Sequence, residues 1–318
     1  MNVKEDIAQR IAWVFPGQGS QYVGMGQRVY EVSDAARRIF NQADEVLGYS
    51  ISSLCFNGPA DELEDTVNAQ PAIFTVSIAY LEALRERSRD VGKSIAPVYV
   101  AGHSLGEFTA LVAAGVLDFR DALVLVRERG RLMKESGEER PGGMAAVIGL
   151  DREDLEQVCE EAGNVGIVVL ANDNCPGQSV ISGEIAALER AMELAEARGA
   201  RRTVRLGISI ASHSPLMERA AQQLNDFVSR MPLRDPQIPI VANMTGQLLT
   251  TVDDVRNEIS QHVLMPVQWS SSVKEMVNGG VNTFLEVGPG QVLSGLIRRI
   301  RRDVQTLSVK DYGVYGQE

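Results

Sequence analysis

The chain has 318 residues and a formal net charge of -11 at pH 7, which disfavours nucleic-acid binding as a property of the whole molecule. No apolar stretch is long enough to cross a bilayer, and the first residues lack the basic and apolar segments of a secretory signal, so we expect a cytoplasmic protein without membrane attachment. The three cysteines, Cys55, Cys159 and Cys175, are odd in number and lack metal-ligand spacing, which predicts buried, reduced thiols and no zinc site.

The first half of the chain alternates apolar strands with helices, which favours a parallel sheet covered by helices on both faces. The first predicted strand is the apolar run at residues 11–15, which enters a tight loop at residues 16–21. Helices are predicted through residues 37–47 and 68–87. A further strand follows at residues 97–101.

That strand leads into the sequence GHSLG at residues 102–106 and then into a helix. A strand, a sharp turn and a helix with a serine at the apex form the pattern of a nucleophile elbow, in which glycines permit the turn and the first helical amides point at the hydroxyl. Ser104 is therefore the candidate nucleophile. Because the pattern G-x-S-x-G also arises by chance in glycine-rich chains, the flanking strand and helix carry the argument.

The predicted helix at residues 121–133 carries Arg129 on its apolar face. Its neighbours on that stripe are apolar: Ala122, Leu125, Val126 and Met133. A guanidinium on an inward face needs an anion or hydrogen-bond acceptors. Two interpretations are open, namely an ion pair with an internal carboxylate or a bidentate clamp for a substrate carboxylate.

From about residue 140 the pattern changes to that of a smaller unit. The predicted elements are a strand at 144–149, a helix at 151–162, strands at 167–171 and 178–182, a helix at 184–198 and a strand at 202–206. This βαββαβ order is typical of a ferredoxin-like unit. We therefore predict an α/β protein with a large parallel-sheet, α/β-hydrolase-like domain (residues 1–139 and 208–318) and an inserted small ferredoxin-like domain (residues 140–207), with the active site in the cleft between them.

The chain has three histidines, of which His213 is the candidate general base. Alternating apolar residues at 204–210 predict a half-buried strand that runs up to it, and Ser214 begins the next helix, so His213 lies at a strand-to-helix corner. His103 lies inside the elbow, and its side chain should project away from the Ser104 hydroxyl.

Beyond His213, strands at residues 238–243 and 283–287 return to the large sheet. A later helix ends in a cluster of four arginines: Arg298, Arg299, Arg301 and Arg302. Such a cluster suits a solvated helix C-terminus, and the alternative is a docking surface for an acidic partner protein.

Together these features resemble the malonyl-CoA:acyl carrier protein transacylase family, which is related to the acyltransferase domains of polyketide and fatty acid synthases. The matching motifs cover nearly the whole chain in the family's order. They are FPGQGSQ at 15–21, GHSLGE at 102–107, RG at 129–130, ANDN at 171–174 with PGQ at 176–178, SH at 212–213, PVQW at 266–269 and EVGPG at 286–290.

The resemblance implies that Ser104 carries the acyl group, that His213 activates it and that Arg129 holds the malonyl carboxylate. The backbone amides of Gln18 and Leu105 would form the oxyanion hole. The implied substrates are malonyl-CoA and the phosphopantetheine arm of acyl carrier protein in fatty acid biosynthesis, with no metal or other cofactor. We expect a monomer.

No convincing third acid of a triad is found among the aspartates between the serine and the histidine, so we adopt the family's dyad, in which a backbone carbonyl orients the imidazole.

Four residues before Pro266 the family often has glutamine, whereas this chain has His262, which we take as a substrate-binding candidate. Ser212 precedes the catalytic histidine, as it does in methylmalonyl-specific polyketide enzymes and also in free-standing fatty-acid enzymes, and Leu105 suits malonyl. The alternatives are a trans-acting polyketide acyltransferase, a serine acyl hydrolase and a non-enzymatic partner-binding protein.

Overall fold

The computed structural model describes residues 9–90, 92 and 95–314, which form two sheets with their helices. The larger sheet has six strands in the order β10-β9-β1-β2-β7-β8. All its neighbouring strands are parallel except the pair β7 and β8. Its strands are β1 (Ile11–Phe15), β2 (Tyr99–Gly102), β7 (Ile240–Val241), β8 (Leu248–Leu249), β9 (Thr283–Glu286) and β10 (Gln305–Ser308).

Strand β1 shows why this sheet is covered on both faces. All five of its residues are buried. Ile11, Trp13 and Phe15 pack into one apolar core, whereas Ala12 and Val14 pack into another on the opposite side. Because successive side chains of a strand alternate between faces, a continuous apolar run is what a two-sided parallel sheet requires.

The helices of this unit supply the two cores. They are α1 (Gln27–Val32), α2 (Asp34–Leu47), α3 (Ile51–Asn57), α4 (Ala60–Glu64), α5 (Thr66–Asp90), α6 (Gly106–Ala113), α7 (Phe119–Glu139), α10 (Glu218–Val228), α11 (Val252–Gln261), α12 (Trp269–Asn278) and α13 (Val292–Ile300). No helix among the described residues is both long and apolar enough to span a bilayer. All three cysteines are buried with free thiols, and burial raises the pKa of the Cys55 and Cys159 thiols.

The smaller sheet is antiparallel, with the strand order β4-β5-β3-β6. Its elements follow the predicted order: β3 (Gly142–Ile148), α8 (Arg152–Ala162), β4 (Val168–Cys175), β5 (Gln178–Glu184), α9 (Ile185–Ala197) and β6 (Arg202–Arg205). Helices α8 and α9 pack on it around a separate apolar core. The protein is therefore a mixed α/β structure with a parallel-sheet unit and an antiparallel unit.

The predicted strand that leads up to His213 is wrong beyond Arg205. Residues 206–211 form no strand, because the ladder with β3 ends where the Leu206 amide donates to the Met144 carbonyl. The apolar alternation has a different cause. Leu206 and Ile208 are half-buried and line a cleft between the two sheets, together with Gly207.

Candidate active site

The nucleophile elbow is built at the carboxyl end of β2, where the backbone makes close approaches that only glycine allows. A Cβ on Gly102 would lie 1.9 Å from the Gly106 carbonyl carbon, and a Cβ on Gly106 would lie 2.0 Å from the Phe15 carbonyl oxygen. Between them Ser104 has a φ of 48°. This left-handed conformation is costly for a residue with a side chain, and it holds the serine at the apex of the turn.

His213 lies opposite the elbow although it is 109 residues away in the chain: its Nε2 atom is 2.8 Å from the Ser104 Oγ. Its Nδ1 atom is 2.9 Å from the Met265 carbonyl oxygen. A carbonyl can only accept, so Nδ1 carries the proton and Nε2 is free to accept the serine proton. His213 also has a positive φ, of 59°. Among the described residues, these two are the only non-glycine residues with positive φ.

The environment of His213 favours its neutral form. Burial lowers the pKa of the imidazole well below its usual value, and electrostatic interactions with His262 and Arg129 act in the same direction, against the hydrogen bond to the Met265 carbonyl. An unprotonated imidazole hydrogen-bonded to a hydroxyl is the arrangement that general-base activation of a serine requires.

Arg129 lies on the buried face of α7, with a fractional exposure of 2%. Its NH1 donates to Gln70 Oε1 at 2.6 Å, and its NH2 donates to Ser104 Oγ at 3.1 Å. The guanidinium carbon lies 5.5 Å from the centre of the Phe108 ring. Burial lowers the pKa of Arg129 to about 9, against the charge of Glu107, which leaves it cationic at neutral pH. A fork-shaped cation thus sits directly beside the nucleophile.

The two predicted oxyanion-hole residues, Gln18 and Leu105, both line the same cleft as Ser104. Leu105 is the residue before α6, and Gln18 follows β1 in the adjacent loop, where its side-chain amide donates to Thr66 Oγ1 at 3.1 Å. Within the described ranges, the backbone amides of both residues donate to no backbone or side-chain acceptor. Their role as oxyanion donors stays a prediction.

His262 does not face the cleft. It is 1% exposed and is absent from the cleft lining, because it follows α11 behind the Arg129 guanidinium. Its Nδ1 lies 3.5 Å from Arg129 NH2, and its Nε2 lies 2.9 Å from Glu107 Oε2. A direct contact between His262 and substrate, as predicted from the sequence, is therefore not supported by its position.

Residues that sequence reasoning missed hold the predicted ones in place. Asn243 accepts the Ser104 amide on its Oδ1 at 2.7 Å and donates from Nδ2 to the Gly102 carbonyl at 2.7 Å. Gln70 is fully buried on α5 and accepts from Arg129. A signal for Asn243 existed, because it lies two residues after β7, which is the neighbour of the elbow strand β2 in the sheet. Gln70 had no such signal in the sequence, because α5 is buried on most sides along this stretch and no polar or apolar face stands out.

The cleft between the two sheets has a volume of about 530 Å³. The antiparallel unit contributes its other wall: Met144, Ala146, Asn172, Asn174, Gln178 and Val180. One hydrogen bond links the wall to the elbow, at 2.7 Å between His103 Nε2 and Asn174 Oδ1. As predicted, the His103 side chain is therefore directed to a partner other than the Ser104 hydroxyl.

Comparison with known proteins identifies the family. Residues 12–316 match the acyl transferase domain family. The malonyl CoA-acyl carrier protein transacylase of Bacillus subtilis (strain 168) is 44% identical over 303 residues, which cover 95% of this chain and 94% of that protein. The chain belongs to the malonyl-CoA:acyl carrier protein transacylase family. The Escherichia coli (strain K12) transacylase of the same name is 42% identical over 291 residues, covering 92% of this chain and 93% of that one.

Solved structures of the transacylase family have the same fold. The malonyl CoA-acyl carrier protein transacylase of Coxiella burnetii superposes with a TM-score of 0.92 at 35% identity, covering 96% of this chain and 95% of that one. A malonyl-transacylase in complex with a holo acyl carrier protein of a type II polyketide synthase superposes with a TM-score of 0.90 at 39% identity, covering 94% and 96%. The family resemblance is confirmed, and the chain is an acyltransferase.

Proposed function

We propose that this enzyme transfers a malonyl group from malonyl-CoA to the phosphopantetheine thiol of acyl carrier protein through a malonyl ester of Ser104. One observation carries the proposal: Arg129 NH2 lies 3.1 Å from the same Ser104 Oγ that is 2.8 Å from His213. A buried cation next to a nucleophile suits an acyl group that carries its own carboxylate. The curated relatives are named for this transfer.

In the first half-reaction, His213 Nε2 takes the hydroxyl proton as Ser104 Oγ attacks the thioester carbonyl. The amides of Gln18 and Leu105 would stabilise the oxyanion of the tetrahedral intermediate. The C–S bond then breaks, the CoA sulfur leaves with the proton held by His213, and the malonyl group remains as an ester. Arg129 pairs with the malonyl carboxylate throughout this step.

In the second half-reaction, His213 accepts the proton of the phosphopantetheine thiol, and the thiolate attacks the malonyl ester. Collapse of the intermediate returns the proton to Ser104 Oγ and leaves a new thioester on the carrier. A thioester is exchanged for a thioester, so the reaction balances without ATP, a metal or a further cofactor. The cleft must disfavour water as a nucleophile during the lifetime of the ester.

We favour malonyl over methylmalonyl as the acyl group. Ser212 precedes His213 and lines the cleft with Leu105. Free-standing fatty-acid enzymes of the family that the motifs resemble also carry serine before the histidine, and Leu105 suits a malonyl group. Competition between the two thioesters for one enzyme sample measures this preference as a ratio of kcat/KM values.

For the carrier protein, we propose docking of its acidic surface on the arginines at the end of α13. Arg298 and Arg302 are exposed, and Val292, Leu293 and Leu296 of the same helix line the cleft. Reversing Arg298 and Arg302 to glutamate should raise the KM for carrier protein and leave the CoA half-reaction unchanged. A change in both half-reactions would contradict this docking site.

We propose a fatty-acid carrier protein as the acceptor. A parallel assay with a polyketide carrier protein tests this proposal.

A serine hydrolase would share the elbow and the base, but it would not need Arg129 beside Ser104. A partner-binding protein without activity would not be acylated. Intact mass spectrometry after mixing with malonyl-CoA separates these cases, because the transferase gains one malonyl group that carrier protein then removes. An adduct lost to water at the same rate with and without carrier protein would favour the hydrolase.

The finer structural assignments rest on the same residues. We propose residues 140–207 as a ferredoxin-like insertion in an α/β-hydrolase-like domain formed by residues 1–139 and 208–318, which the strand order β4-β5-β3-β6 and the parallel sheet support. The cytoplasmic location and the monomeric state stay predictions from the sequence.

A further inference from the structure

We infer that His262, backed by Glu107, is a positioning residue that holds the Arg129 guanidinium ready for the substrate carboxylate. The inference rests on the proposed function and deepens it, because it assigns two buried residues to the recognition of malonyl. Neither residue touches the cleft, and neither is needed to explain the Ser104–His213 dyad.

The Arg129, His262 and Glu107 side chains form a row of polar contacts that runs from the cleft into the core. His262 Nδ1 faces Arg129 NH2 at 3.5 Å, and His262 Nε2 faces Glu107 Oε2 at 2.9 Å. Among the described residues, neither His262 Nε2 nor Glu107 Oε2 makes a hydrogen bond, so the 2.9 Å between them is a polar contact of two otherwise unpartnered buried atoms. All three side chains are buried, with exposures of 1% for His262, 1% for Glu107 and 2% for Arg129.

The chemistry of the three groups determines which atom donates and which accepts at each contact of this row. A guanidinium can only donate, so His262 Nδ1 must accept from Arg129, and the imidazole proton then lies on Nε2, toward Glu107 Oε2. Burial raises the pKa of the Glu107 carboxyl group to about 8. A doubly protonated His262 would place an N–H against the N–H groups of Arg129. Burial, together with the charge of Arg129, lowers the pKa of His262 well below its usual value, against an interaction with the Ser104 backbone, which agrees with the neutral form.

Glu107 connects this row of contacts to the elbow. It is the second residue of α6, and its Oε1 accepts the Asn243 amide at 3.2 Å. Asn243 in turn holds both sides of the Ser104 turn. The carboxylate-binding arginine and the nucleophile are therefore connected by one network of hydrogen bonds and the 2.9 Å His262–Glu107 contact.

Three neighbours contact the Arg129 guanidinium. Gln70 accepts from NH1, His262 faces NH2, and the Phe108 ring lies 5.5 Å from the guanidinium carbon. A long arginine side chain loses conformational entropy when it binds a carboxylate, and a guanidinium that is already held loses less. Removal of the His262 acceptor should therefore weaken malonyl binding more than it affects the nucleophile.

Two substitutions at position 262 separate this role from simple packing. His262→Phe keeps a ring of similar shape but removes both nitrogen atoms. His262→Gln can still accept from Arg129 on its oxygen and donate to Glu107 from its nitrogen. If His262→Phe does not fold, the smaller His262→Leu replaces it. Ile259→Ala, on the same helix and 1% exposed, is the control for a loss of packing alone.

The readouts are the KM for malonyl-CoA in the acylation half-reaction and the rate at which an alkyl fluorophosphonate, which has no carboxylate, labels Ser104. We expect His262→Phe to raise the KM about tenfold, the change that corresponds to ~1.4 kcal/mol. Fluorophosphonate labelling should stay within about twofold, because it needs only the elbow and His213. His262→Gln should restore the KM to within about threefold of the wild type, and Ile259→Ala should lower the melting temperature without raising the KM.

Two results would overturn the inference: equal KM values for His262→Gln and His262→Phe, or a fall in fluorophosphonate labelling as large as the rise in KM. Either would mean that His262 supports the fold or the dyad and not Arg129. Failure of the proposed function would look different. Wild-type enzyme would then be labelled by fluorophosphonate but not by malonyl-CoA, and the inference would fall with that proposal.

Discussion

The two sheets contribute to the cleft in different ways. The parallel-sheet unit supplies Ser104, His213 and Arg129, and each is held by a short hydrogen bond to a neighbouring residue. The antiparallel unit supplies a wall of apolar and amide side chains, and Met144 and Val180 form a small apolar cluster of that wall with Ala171. The strained backbone positions at Ser104 and His213 both lie in the unit that reacts.

This difference indicates that the two units have separate roles in the reaction. Groups that take part in bond making must keep one geometry, so they lie on a rigid sheet edge and in a network of hydrogen bonds. The wall only shapes the space that the acyl group and the pantetheine arm occupy. Substitutions in the first unit should lower the chemical rate or the recognition of the carboxylate, whereas substitutions in the wall should change KM.

The largest effect is expected at His213. His213→Ala removes the base that is 2.8 Å from Ser104 Oγ, and we expect the single-turnover acylation rate with malonyl-CoA to fall about 10²–10⁴-fold. Quenched-flow measurement of the malonyl adduct checks this. A rate within tenfold of the wild type would show that another group activates the serine.

Arg129→Ala is expected to be next. Loss of the guanidinium should lower kcat/KM for malonyl-CoA by about 10²-fold or more, since truncating one partner of a buried charge pair costs ~2–5 kcal/mol. Acetyl-CoA, which has no free carboxylate, should lose much less. Arg129→Lys is the matched control, because it keeps the charge without the two-pronged geometry and should recover only part of the loss. Equal losses with both thioesters would favour a structural arginine.

A smaller effect is expected at Asn243, which belongs to the reacting unit without touching substrate. Asn243→Ala leaves the Ser104 amide and the Gly102 carbonyl unpaired, which should cost ~1–3 kcal/mol of folding free energy. Fluorophosphonate labelling of Ser104 should slow roughly tenfold, as about 1.4 kcal/mol of lost positioning predicts. Asn172→Ala, in the cleft wall, is the control and should label at the wild-type rate.

A substitution in the wall itself should be milder. Val180→Ala removes apolar surface that lines the cleft, and we expect the KM for malonyl-CoA to rise about fivefold, the equivalent of ~1 kcal/mol. The maximal acylation rate should stay within twofold, as steady-state kinetics of the CoA half-reaction can show. A large fall in kcat with an unchanged KM would contradict the proposal that the wall affects binding and not the chemical rate.

The smallest effect is expected from pH. Protonated His213 cannot act as a base, and its pKa is lowered well below the usual value of about 6.5. Activity should therefore be lost only at pH values well under 6.5, and the acylation rate should change less than about twofold between pH 8 and pH 6.5. A rate profile with its midpoint at or above pH 6.5 would mean that the imidazole is more exposed than its position indicates.

Much of the site follows from short-range patterns. The GHSLG turn, the arginine on an apolar helical stripe and the histidine before Ser214 are each visible within a few residues, and the family motifs fix their order. The supporting residues are different, because Asn243, Gln70 and Glu107 gain their roles only from contacts with residues that are far away in the chain, beginning with the 59 positions between Gln70 and Arg129. No local pattern records such contacts.

The incorrect strand near His213 has a related cause. Alternating apolar residues predict that every second side chain is less exposed than its neighbours, and residues 206–210 follow that pattern, with Leu206 and Ile208 half-buried and Ile210 buried. A strand also needs a neighbouring backbone to pair with. Past Leu206 the chain leaves β3 to form the rim of the cleft, so the alternation persists without the ladder.

The most direct test of the central claim is the intact mass of the protein after brief exposure to malonyl-CoA, compared between the wild type and Ser104→Ala. We predict one added malonyl group on the wild type, mapped by peptide sequencing to Ser104 and removed on addition of holo acyl carrier protein, and no adduct on Ser104→Ala. An unmodified wild type, or the same adduct on both proteins, would contradict the account.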